Sequence, residues 1–342
     1  MKRLSFFKKI ILFLNVIVAF CLFLACIVPY TSIASLAFIS LTVPALVLIN
    51  MLFFIYWLIG KSIYMLLSLA ILVFGYFTLG SFIAFNGRST NVVDANTISL
   101  LSYNVLSFHN SDNDYEINTA PEIVDFIINE NPDILLFQEF QSFYIKEDML
   151  RAYPYISKRE SLEEVEGGKN LAIYSKFKII NNGTLEFPDS YNGGLFVDIV
   201  VKNDTLRVFN LHMESFGVRP YSIKYERSDR LFVRLRDCFA KQQRQALIVK
   251  DFIDKSPYKV VVSGDFNNTQ FSKSYFDIKG NLKDSFLEGG HGYGETIKFW
   301  KFPFRIDMLL LDPSFKVLTH KNYNIDLSDH EPIIATFKLN EE

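Results

Sequence analysis

Residues 258–269 read YKVVVSGDFNNT, an apolar run that ends abruptly on Gly264, Asp265, Phe266 and Asn267. A short run of β-branched residues predicts a buried strand, and polar residues that follow it are delivered to one edge of a sheet. The motif is weak by itself, because Asp and Asn also close turns and cap helices. Its weight comes from other segments of the chain that end in the same way.

Four further apolar runs carry polar side chains at their ends. They end at Asn104, at Gln138–Glu139, at His212 and near Asp312, and the last of them opens on Asp307. The chain then passes through residues 327–332, LSDHEP, before a final strand-like run. Carboxylates, amides and two histidines therefore recur at strand edges from residue 104 to residue 330, which indicates a single site built from several loops.

In their residues and in their order along the chain, these segments resemble the motifs of the endonuclease/exonuclease/phosphatase superfamily, whose members share the DNase I-like fold. The resemblance covers about residues 97–339. It implies an α/β four-layer sandwich, in which two packed mixed β-sheets are flanked by helices. It also implies a metal-dependent phosphoesterase, because members of the superfamily include nucleases, inositol-phosphate phosphatases and sphingomyelinases. A single motif such as QE carries no information alone, whereas the whole set in this order is specific.

Phosphate-ester hydrolysis explains why such residues are needed. The phosphoryl group is anionic, so an enzyme must neutralise its oxygens, supply a deprotonated water and stabilise the leaving oxygen. A hard divalent ion does much of this, and Mg²⁺ takes only one or two carboxylates while it keeps several waters. Glu139, helped by the amide of Asn104, is the natural site for Mg²⁺ or Mn²⁺.

The resemblance also assigns roles to five residues near the reacting group. Asp265 would orient or deprotonate the attacking water, and Asn267 would hold that water or a phosphate oxygen. His330 would donate to the phosphoryl group while Asp307 binds its other ring nitrogen and raises its basicity. His212 would be a second phosphate donor.

Two further residues have supporting roles by the same resemblance, and some assignments have simpler alternatives. Asp329 fits a supporting contact to the metal or to water, and Thr296 fits substrate or loop support. Asn104 could instead close a β-turn, and Glu139 could be a solvated strand end. Asp307 lies between apolar neighbours, so its carboxylate is expected to be buried and to need a partner.

Histidines outside these motifs are expected to have no part in the site. His109, His291 and His320 are interpreted as surface or loop residues. No cluster of Cys and His has the spacing of a zinc site.

The N-terminal part of the chain has a different character. Ile10–Val28, Leu36–Ile59 and Ser62–Phe85 contain no charged residue, and each is near the twenty residues that cross a hydrocarbon core. We therefore expect three transmembrane helices, at about 10–28, 36–59 and 62–85. The domain organisation is then a membrane anchor over 1–85, a polar linker over 86–96 and a catalytic domain over 97–342.

Basic residues predict the orientation of these helices. Lys2, Arg3, Lys8 and Lys9 precede the first helix, Lys61 lies in the second connection, and the first connection has no charge. By the positive-inside rule the N-terminus is cytoplasmic, and three crossings leave the catalytic domain outside the cytoplasm of a bacterium, at its plasma or inner membrane. Phe23–Cys26 loosely resembles a lipoprotein cleavage box, but the residues after it stay apolar.

Charge limits the class of substrate. The chain has 35 basic and 37 acidic residues, and five of the basic ones lie at or before Lys61, which leaves 30 basic and 37 acidic residues and a charge of about −7 in the rest of the chain. A net negative charge provides no overall electrostatic attraction for long nucleic acid, which is itself a polyanion. A helix expected at 225–255 carries Arg230, Arg234, Lys241 and Arg244 on one face, which is either solvated or directed at anionic lipid.

The sequence is compatible with three functions. The leading one is a membrane-tethered phosphodiesterase or phosphatase with a lipid-derived or small-molecule substrate. The second is an extracytoplasmic endonuclease or exonuclease, which needs a basic groove. The third is a domain that binds a phosphorylated ligand or partner without turnover, against which the complete set of polar residues speaks. The oligomeric state and the number of metal ions are not predicted.

Overall fold

The computed structural model describes residues 4–86, 97–110, 118–146, 149–159, 170–218, 226–299 and 302–339. Its helices are α1 Phe6–Ile27, α2 Val43–Ile59, α3 Met65–Leu79, α4 Ala120–Glu130, α5 Ser228–Asp254, α6 Lys273–Lys279 and α7 Ser285–Gly289. Short 3₁₀ helices lie at Val28–Tyr30, Ala34–Thr42, Leu106–Phe108 and Ser142–Tyr144.

The strands fall into two six-stranded sheets and two small pairs. In chain order they are β1 Ala84–Phe85, β2 Thr97–Asn104, β3 Ile134–Gln138, β4 Tyr155–Arg159, β5 Leu171–Ser175, β6 Lys178–Glu186, β7 Gly193–Val201, β8 Asp204–His212, β9 Lys259–Asp265, β10 Lys283–Asp284, β11 His291–Gly292, β12 Ile297–Phe299, β13 Phe302–Phe304, β14 Asp307–Leu311, β15 Lys316–Asn322 and β16 Ile333–Lys338. The sheet orders are β15-β16-β2-β3-β5-β4 and β10-β14-β9-β8-β7-β6.

Both large sheets are mixed. The pairs β2–β3 and β8–β9 are parallel, and the remaining neighbours are antiparallel. The inner faces of the two sheets form one buried core, to which Leu100, Leu136, Val208 and Leu309 contribute. The predicted sandwich of two mixed sheets flanked by helices is therefore confirmed.

Helices cover the outer faces, which explains why several strands read as continuous apolar runs. In β3, Leu136 points into the shared core, whereas Leu135 and Phe137 pack with Ile123 of α4 on the other side. The other sheet is covered in the same way by α5, whose Ala246 is buried against it. A strand that is buried on both faces shows no alternation of polar and apolar residues.

Strand register gathers the polar residues at one end of the sandwich. His212 is paired with Asp265 across β8 and β9, and Asp265 is paired with Asp307 across β9 and β14. We call this the polar end, defined by Asn104, Glu139, His212, Asp265 and Asp307. We call the other the far end, where Thr97, Ser175, Asp204 and Lys259 lie.

Gly264 permits the close approach of β8 and β9. Its φ is +137°, and a Cβ built on it would lie 2.0 Å from the carbonyl oxygen of Leu211. A side chain at this position would therefore push apart the two strands that carry His212 and Asp265.

The first three helices form an N-terminal bundle, α1 to α3. Two helical segments, Phe6–Tyr30 and Ala34–Ile59, are long and apolar enough to cross a membrane. The third, α3, has 15 residues and is about 22 Å long, which is shorter than the predicted span of 62–85. Gly80, with φ +77°, ends it because this conformation does not continue a helix.

Polar side chains join the three helices of the bundle. The side-chain amide of Asn15 in α1 donates to Ser68 of α3 at 2.8 Å, and Trp57 of α2 donates to the Asn15 oxygen at 3.1 Å. One asparagine therefore ties all three helices together.

The N-terminal bundle packs directly on the catalytic domain. Phe38, between α1 and α2, stacks on Phe232 of α5 with ring centroids 4.9 Å apart. Phe271, which follows β9, is buried in a cluster with Leu22 and Leu79 of the bundle. β1 pairs with β11, so the end of the bundle is also joined to the domain by backbone hydrogen bonds. Apart from Asn86, the predicted linker lies outside the described residues.

Candidate active site

Each polar residue of the site follows or opens a strand at the polar end. Asn104, His212 and Asp265 are the last residues of β2, β8 and β9, whereas Asp307 is the first residue of β14. Glu139 follows β3 directly, and Asn267 lies two residues beyond β9. Because the strands are packed in register, their ends bring side chains that are distant in sequence into contact.

His330 and Asp307 form the closest charged pair in the site. The Nδ1 atom of His330 lies 2.9 Å from Oδ2 of Asp307, and its Nε2 atom lies 3.7 Å from Oδ2 of Asp265. Burial by itself lowers the pKa of His330, but the carboxylates of Asp307 and Asp265 outweigh burial and raise that pKa well above its usual value. The imidazole is therefore held in its charged form at neutral pH, with one ring nitrogen directed at the centre of the site.

Asp265 accepts several hydrogen bonds at the centre of the site. Its Oδ1 accepts from the backbone N–H of Asn267 at 2.7 Å, and its Oδ2 accepts from the side chains of Asn104 and Asn267, both at 3.1 Å. Burial raises the pKa of this carboxyl to about 7, although His330 favours ionisation. Asp265 is thus poised to exchange a proton near neutral pH.

Among the central carboxylates Glu139, Asp265 and Asp307, Glu139 is the most open to solvent. Its side chain is 21% exposed, whereas that of Asp265 is 1% exposed. Asn104 donates to Glu139 Oε1 at 3.3 Å, and His212 Nε2 lies 3.5 Å from the same oxygen. His212 is buried between Glu139 and Asp265, with its Nε2 atom near both carboxylates.

The orientation of the Asn104 amide differs from the simplest metal-binding geometry. Its oxygen accepts the backbone N–H of Leu106 at 3.1 Å, and its nitrogen donates to both Glu139 and Asp265. The amide in this orientation bridges two carboxylates, and its oxygen is committed to the backbone.

The donor set fits a hard divalent cation. The side-chain amide of Asn104 contacts carboxylate oxygens of both Glu139 and Asp265, which brings two negative charges close together. A bound cation would reduce the repulsion between these two carboxylates. Ligand-capable atoms of Asp265, Asp307 and His330 also lie within 4.8 Å of one another. That second group is already joined by the His330–Asp307 contact, and Mg²⁺ prefers oxygen to imidazole ligands. We therefore favour Glu139 as the main ligand.

Two residues of the site have left-handed backbone conformations. Glu139 has φ +52° and Asn267 has φ +49°, in a region that residues other than glycine seldom adopt. Such conformations persist only where the surrounding structure holds them, and they concentrate at functional sites.

Thr296 and Asp329 lie at the periphery of the site. The hydroxyl oxygen of Thr296 accepts from the backbone N–H groups of Ile306 and Asp307, at 3.0 and 3.1 Å. This contact supports the loop that leads into β14. Asp329 is exposed beside His330, and its carboxylate accepts from the hydroxyl of Ser328 at 3.3 Å.

Several buried amides that hold the site were not predicted. Gln138 donates to Asn210 at 2.7 Å across the two sheets, and Asn210 donates to the carbonyl oxygen of Phe137 at 2.9 Å. Asn192 donates to the carbonyl oxygen of Met213 at 2.5 Å, directly after His212. Gln138 directly precedes Glu139 and Asn210 lies two residues before His212, so their positions in the sequence could have indicated a role near the site, whereas the sequence around Asn192 gives no such indication.

One of the three histidines outside the site differs from expectation. His291 is exposed and His109 lies in a loop, although it is buried, whereas His320 is buried within β15 and its interpretation as a surface or loop residue is wrong. His320 lies against Ser285, whose hydroxyl is 2.8 Å from its Nδ1 atom. It sits on β15 under α7, and packing by a helix distant in sequence is not visible in the residues around it.

A two-sheet sandwich with carboxylates, amides and histidines at one end defines the class of metal-dependent phosphoesterases with the DNase I-like fold. A model of the endonuclease/exonuclease/phosphatase family matches residues 101–330. The chain therefore belongs to that family, and it is a metal-dependent hydrolase that acts on ester bonds. A second model, for a domain of unknown function, matches residues 8–82. No curated protein sequence matches the chain significantly.

Solved structures with this fold are similar over most of the catalytic domain. An endonuclease/exonuclease/phosphatase protein from Beutenbergia cavernae has a TM-score of 0.57 at 15% identity, over 71% of this chain and 72% of that one. Danio rerio TDP2, complexed with a single-strand DNA product, has a TM-score of 0.54 at 17% identity, over 71% and 99%. A mannosyl-6-phosphatase from Bacteroides thetaiotaomicron has a TM-score of 0.52 at 18% identity, over 70% and 99%.

Proposed function

We propose that this protein is a membrane-tethered phosphoesterase that depends on Mg²⁺ or Mn²⁺ and cleaves phosphodiester or phosphomonoester bonds. The observation that carries the proposal is the contact of His330 with Asp307 at 2.9 Å, beside the buried Asp265 and the more open Glu139. A charged donor, a carboxyl with a pKa of about 7 and an accessible carboxylate are thus held in one place. A domain that only binds a ligand has no need of this combination.

The proposed mechanism assigns one task to each group. Glu139 would hold the divalent ion, with Asn104 and Asp329 in support, and a bound ion would neutralise phosphoryl charge and the leaving oxygen. Asp265 would accept a proton from the attacking water, which Asn267 would help to orient.

The two histidines would act on the phosphoryl oxygens. His330, held by Asp307, would donate to one oxygen, and His212 would donate to another. Neither task requires a large movement, because both rings are already buried within 3.7 Å of Asp265. Thr296 would support the loop before β14.

The N-terminal bundle supports the proposed membrane anchor and its orientation. Lys8, Lys9 and Lys61 lie toward one end of the bundle, at the start of α1 and after α2. The segments Val28–Thr42 and Gly80–Asn86 lie at the other end, and both contact the catalytic domain. We infer that the basic end is cytoplasmic, that all three helices cross the bilayer, and that the catalytic domain lies outside. A short third helix is compatible with local thinning of the bilayer.

The orientation has a direct test. Single cysteines introduced at Lys61 and at Glu288 of the full chain would be labelled with a membrane-impermeant maleimide in intact bacterial cells. We expect labelling at position 288 and protection at position 61 until the cells are permeabilised. The reverse pattern would place the catalytic domain in the cytoplasm.

The activity is tested by hydrolysis with the purified full chain. Bis-p-nitrophenyl phosphate, p-nitrophenyl phosphate, DNA and RNA would be compared with and without Mg²⁺ or Mn²⁺. The variant His330→Ala is the active-site control, and His291→Ala is its match at an exposed histidine outside the site. Metal-stimulated turnover that is lost only in His330→Ala supports the proposal. Preference for DNA or RNA would favour a nuclease, and absence of turnover by folded protein would favour ligand binding alone.

A further inference from the structure

The N-terminal bundle docks on the polar end of the catalytic domain, although the first strand of that domain begins at the far end. Thr97 opens β2 at the far end, and Asn104 closes it at the polar end, about 23 Å away at 3.3 Å per residue. A simple tether would lead from the bundle to Thr97 and leave the far end nearest the membrane. Instead, Ala84–Phe85 pairs with His291–Gly292, close in sequence to Thr296.

Three separate loops of the polar end contact the bundle or its connections. Phe216 lies four residues after His212 and belongs to a cluster with Phe38 and Phe239. Phe271 lies four residues after Asn267 and is buried among residues of the bundle. Four residues span at most about 14 Å, so the centre of the site lies close to the surface from which the helices emerge.

The third contact comes from the loop that holds Thr296. Tyr293 lies three residues before Thr296, and its ring contacts that of Phe82, with centroids 6.0 Å apart. Contacts after β8, after β9 and before β14 thus fix the rotation of the domain as well as its distance from the bundle. The polar end is held toward the membrane.

Exposed aromatic side chains surround the same end. Phe143 is 74% exposed and lies four residues after Glu139, and Phe302 is 67% exposed in the β12–β13 hairpin between Thr296 and Asp307. Tyr191, 52% exposed, lies two residues before the start of β7. We call Phe143, Tyr191 and Phe302 the aromatic rim. Among the large exposed aromatic residues of the described part of the catalytic domain, these three are the most exposed, and all three lie at the end that the bundle holds, where a membrane interface would favour them.

We propose that the aromatic rim enters the headgroup region of the bilayer and that the substrate is the phosphate ester of a membrane lipid. This inference rests on the proposed phosphoesterase activity. The headgroup region is about 5 to 7 Å deep on each side of the bilayer. Because the loops around the site are attached to the bundle, the site lies close to the level of the lipid phosphates. The net negative charge of the domain does not prevent binding of a lipid, because the acyl chains already hold the lipid in the bilayer beside the site.

The reaction is a balanced hydrolysis. The oxygen of water forms a bond to phosphorus, the P–O bond of the ester breaks, and the departing oxygen takes a proton. One product carries the phosphate and the other carries a hydroxyl group. The lipid part stays in the bilayer in either case, and the polar part is released.

The test uses the full chain in phosphatidylcholine nanodiscs doped in turn with phosphatidic acid, phosphatidylglycerol and phosphatidylethanolamine. Metal-dependent release of phosphate or of the phosphorylated headgroup is measured beside hydrolysis of soluble bis-p-nitrophenyl phosphate by the same sample. The rim variant is Phe143→Ser with Phe302→Ser. Its match is Ile128→Ser with Ile156→Ser, which are 57% and 51% exposed toward the far end.

We expect turnover of at least one doped lipid. In the rim variant, we expect the ratio of lipid turnover to soluble turnover to fall by about tenfold, because two side chains no longer place apolar area in the interface. The far-end variant should keep the ratio of the unchanged protein. Equal thermal unfolding midpoints of the two variants would exclude a general loss of fold.

Two results would overturn the inference, and they differ from failure of the proposed function. Turnover of the soluble ester without turnover of any doped lipid would reject a lipid substrate and leave the phosphoesterase proposal intact. An equal ratio in the rim and far-end variants would reject membrane entry of the rim. Absence of metal-dependent hydrolysis of every compound, soluble or lipid, would reject the proposed function itself.

Discussion

The carboxylate of Asp307 lies 2.9 Å from Nδ1 of His330, and both side chains are buried although the residues are 23 positions apart. A buried carboxylate beside a buried imidazole stabilises the charged ring and fixes its orientation. The ring can then act only through Nε2, the atom that faces Asp265. This pair is therefore the first place at which the proposed mechanism can be tested.

Replacement of Asp307 by asparagine should lower turnover with little change in fold. Asn has nearly the same shape but no charge to hold His330 protonated, so we expect kcat to fall by about 10²-fold or more. The measurement is steady-state hydrolysis of a soluble phosphate ester under saturating metal. Asp312→Asn, just beyond the other end of β14, is the matched control and should keep full activity. A change in KM alone would contradict the assignment.

Replacement of Glu139 by glutamine should weaken the dependence on divalent metal. Glutamine keeps the length of the side chain but removes the charge that a hard cation requires, so the Mn²⁺ concentration for half-maximal effect should rise more than about tenfold. Both activity and the metal-induced rise in unfolding temperature are measured, because bound metal stabilises the folded state. Glu288→Gln, at an exposed position on α7, is the control. An unchanged metal titration would exclude Glu139 as the main ligand.

His320 should make stability depend on pH well away from the site. Burial lowers the pKa of this histidine to about 4, while nearby Asp284 opposes that shift and Arg305 adds to it. In the unfolded chain its pKa is about 6.5, so the unfolded state takes up a proton first as the pH falls. The stabilisation is complete above about pH 6.5 and is lost progressively toward about pH 4, for a total of up to about 3 kcal/mol.

The measurement is the unfolding midpoint of the full chain between about pH 7 and about pH 4.5. His320→Gln, which cannot take up this proton, should show a flatter dependence on pH than the unchanged protein. His291→Gln, at an exposed histidine, should keep the original dependence. If the His320 variant shows the same slope, another group is responsible.

Asn15→Leu should loosen the N-terminal bundle. The change removes the bonds to Ser68 and Trp57, and hydrogen bonds between helices in apolar surroundings contribute roughly 0.6 kcal/mol each. We therefore expect a loss of about 1 kcal/mol, seen as a lower unfolding midpoint in detergent. Thr42→Val is the control, since the exposed Thr42 hydroxyl donates to the carbonyl oxygen of Ile39 within its own 3₁₀ helix. A midpoint equal to that of the control would contradict a structural role for Asn15.

Local patterns were enough to predict the polar end. Asn104, His212 and Asp265 each end an apolar run. A strand that is buried on both faces can carry polar residues only where it leaves the sheet and reaches solvent, so these residues mark one edge of the sheets. The pairing of Asp307 with His330 was expected from the resemblance, whereas the apolar neighbours of Asp307 indicated only that its carboxylate would be buried and would need a partner. The sandwich followed from resemblance, since the order of strands in a sheet is a long-range property.

Contacts between distant segments could not be predicted. Phe271 looks like an ordinary loop residue until the bundle packs on it, and His320 looks like a surface residue until α7 covers it. The length of α3 depended on Gly80, whose left-handed conformation interrupts a run that remains apolar to residue 85. Asn192 holds Met213 across a loop, and no neighbouring residue signals that contact.

Gly264 restricts how a protein with this architecture can change over time. No side chain fits between β8 and β9 at that point, so the spacing of His212 and Asp265 cannot be adjusted by single substitutions nearby. New specificity therefore has to arise in the loops that surround the centre and in the helices that hold them. The spacing of the catalytic residues is therefore fixed by the fold, whereas the loops that select the substrate can vary.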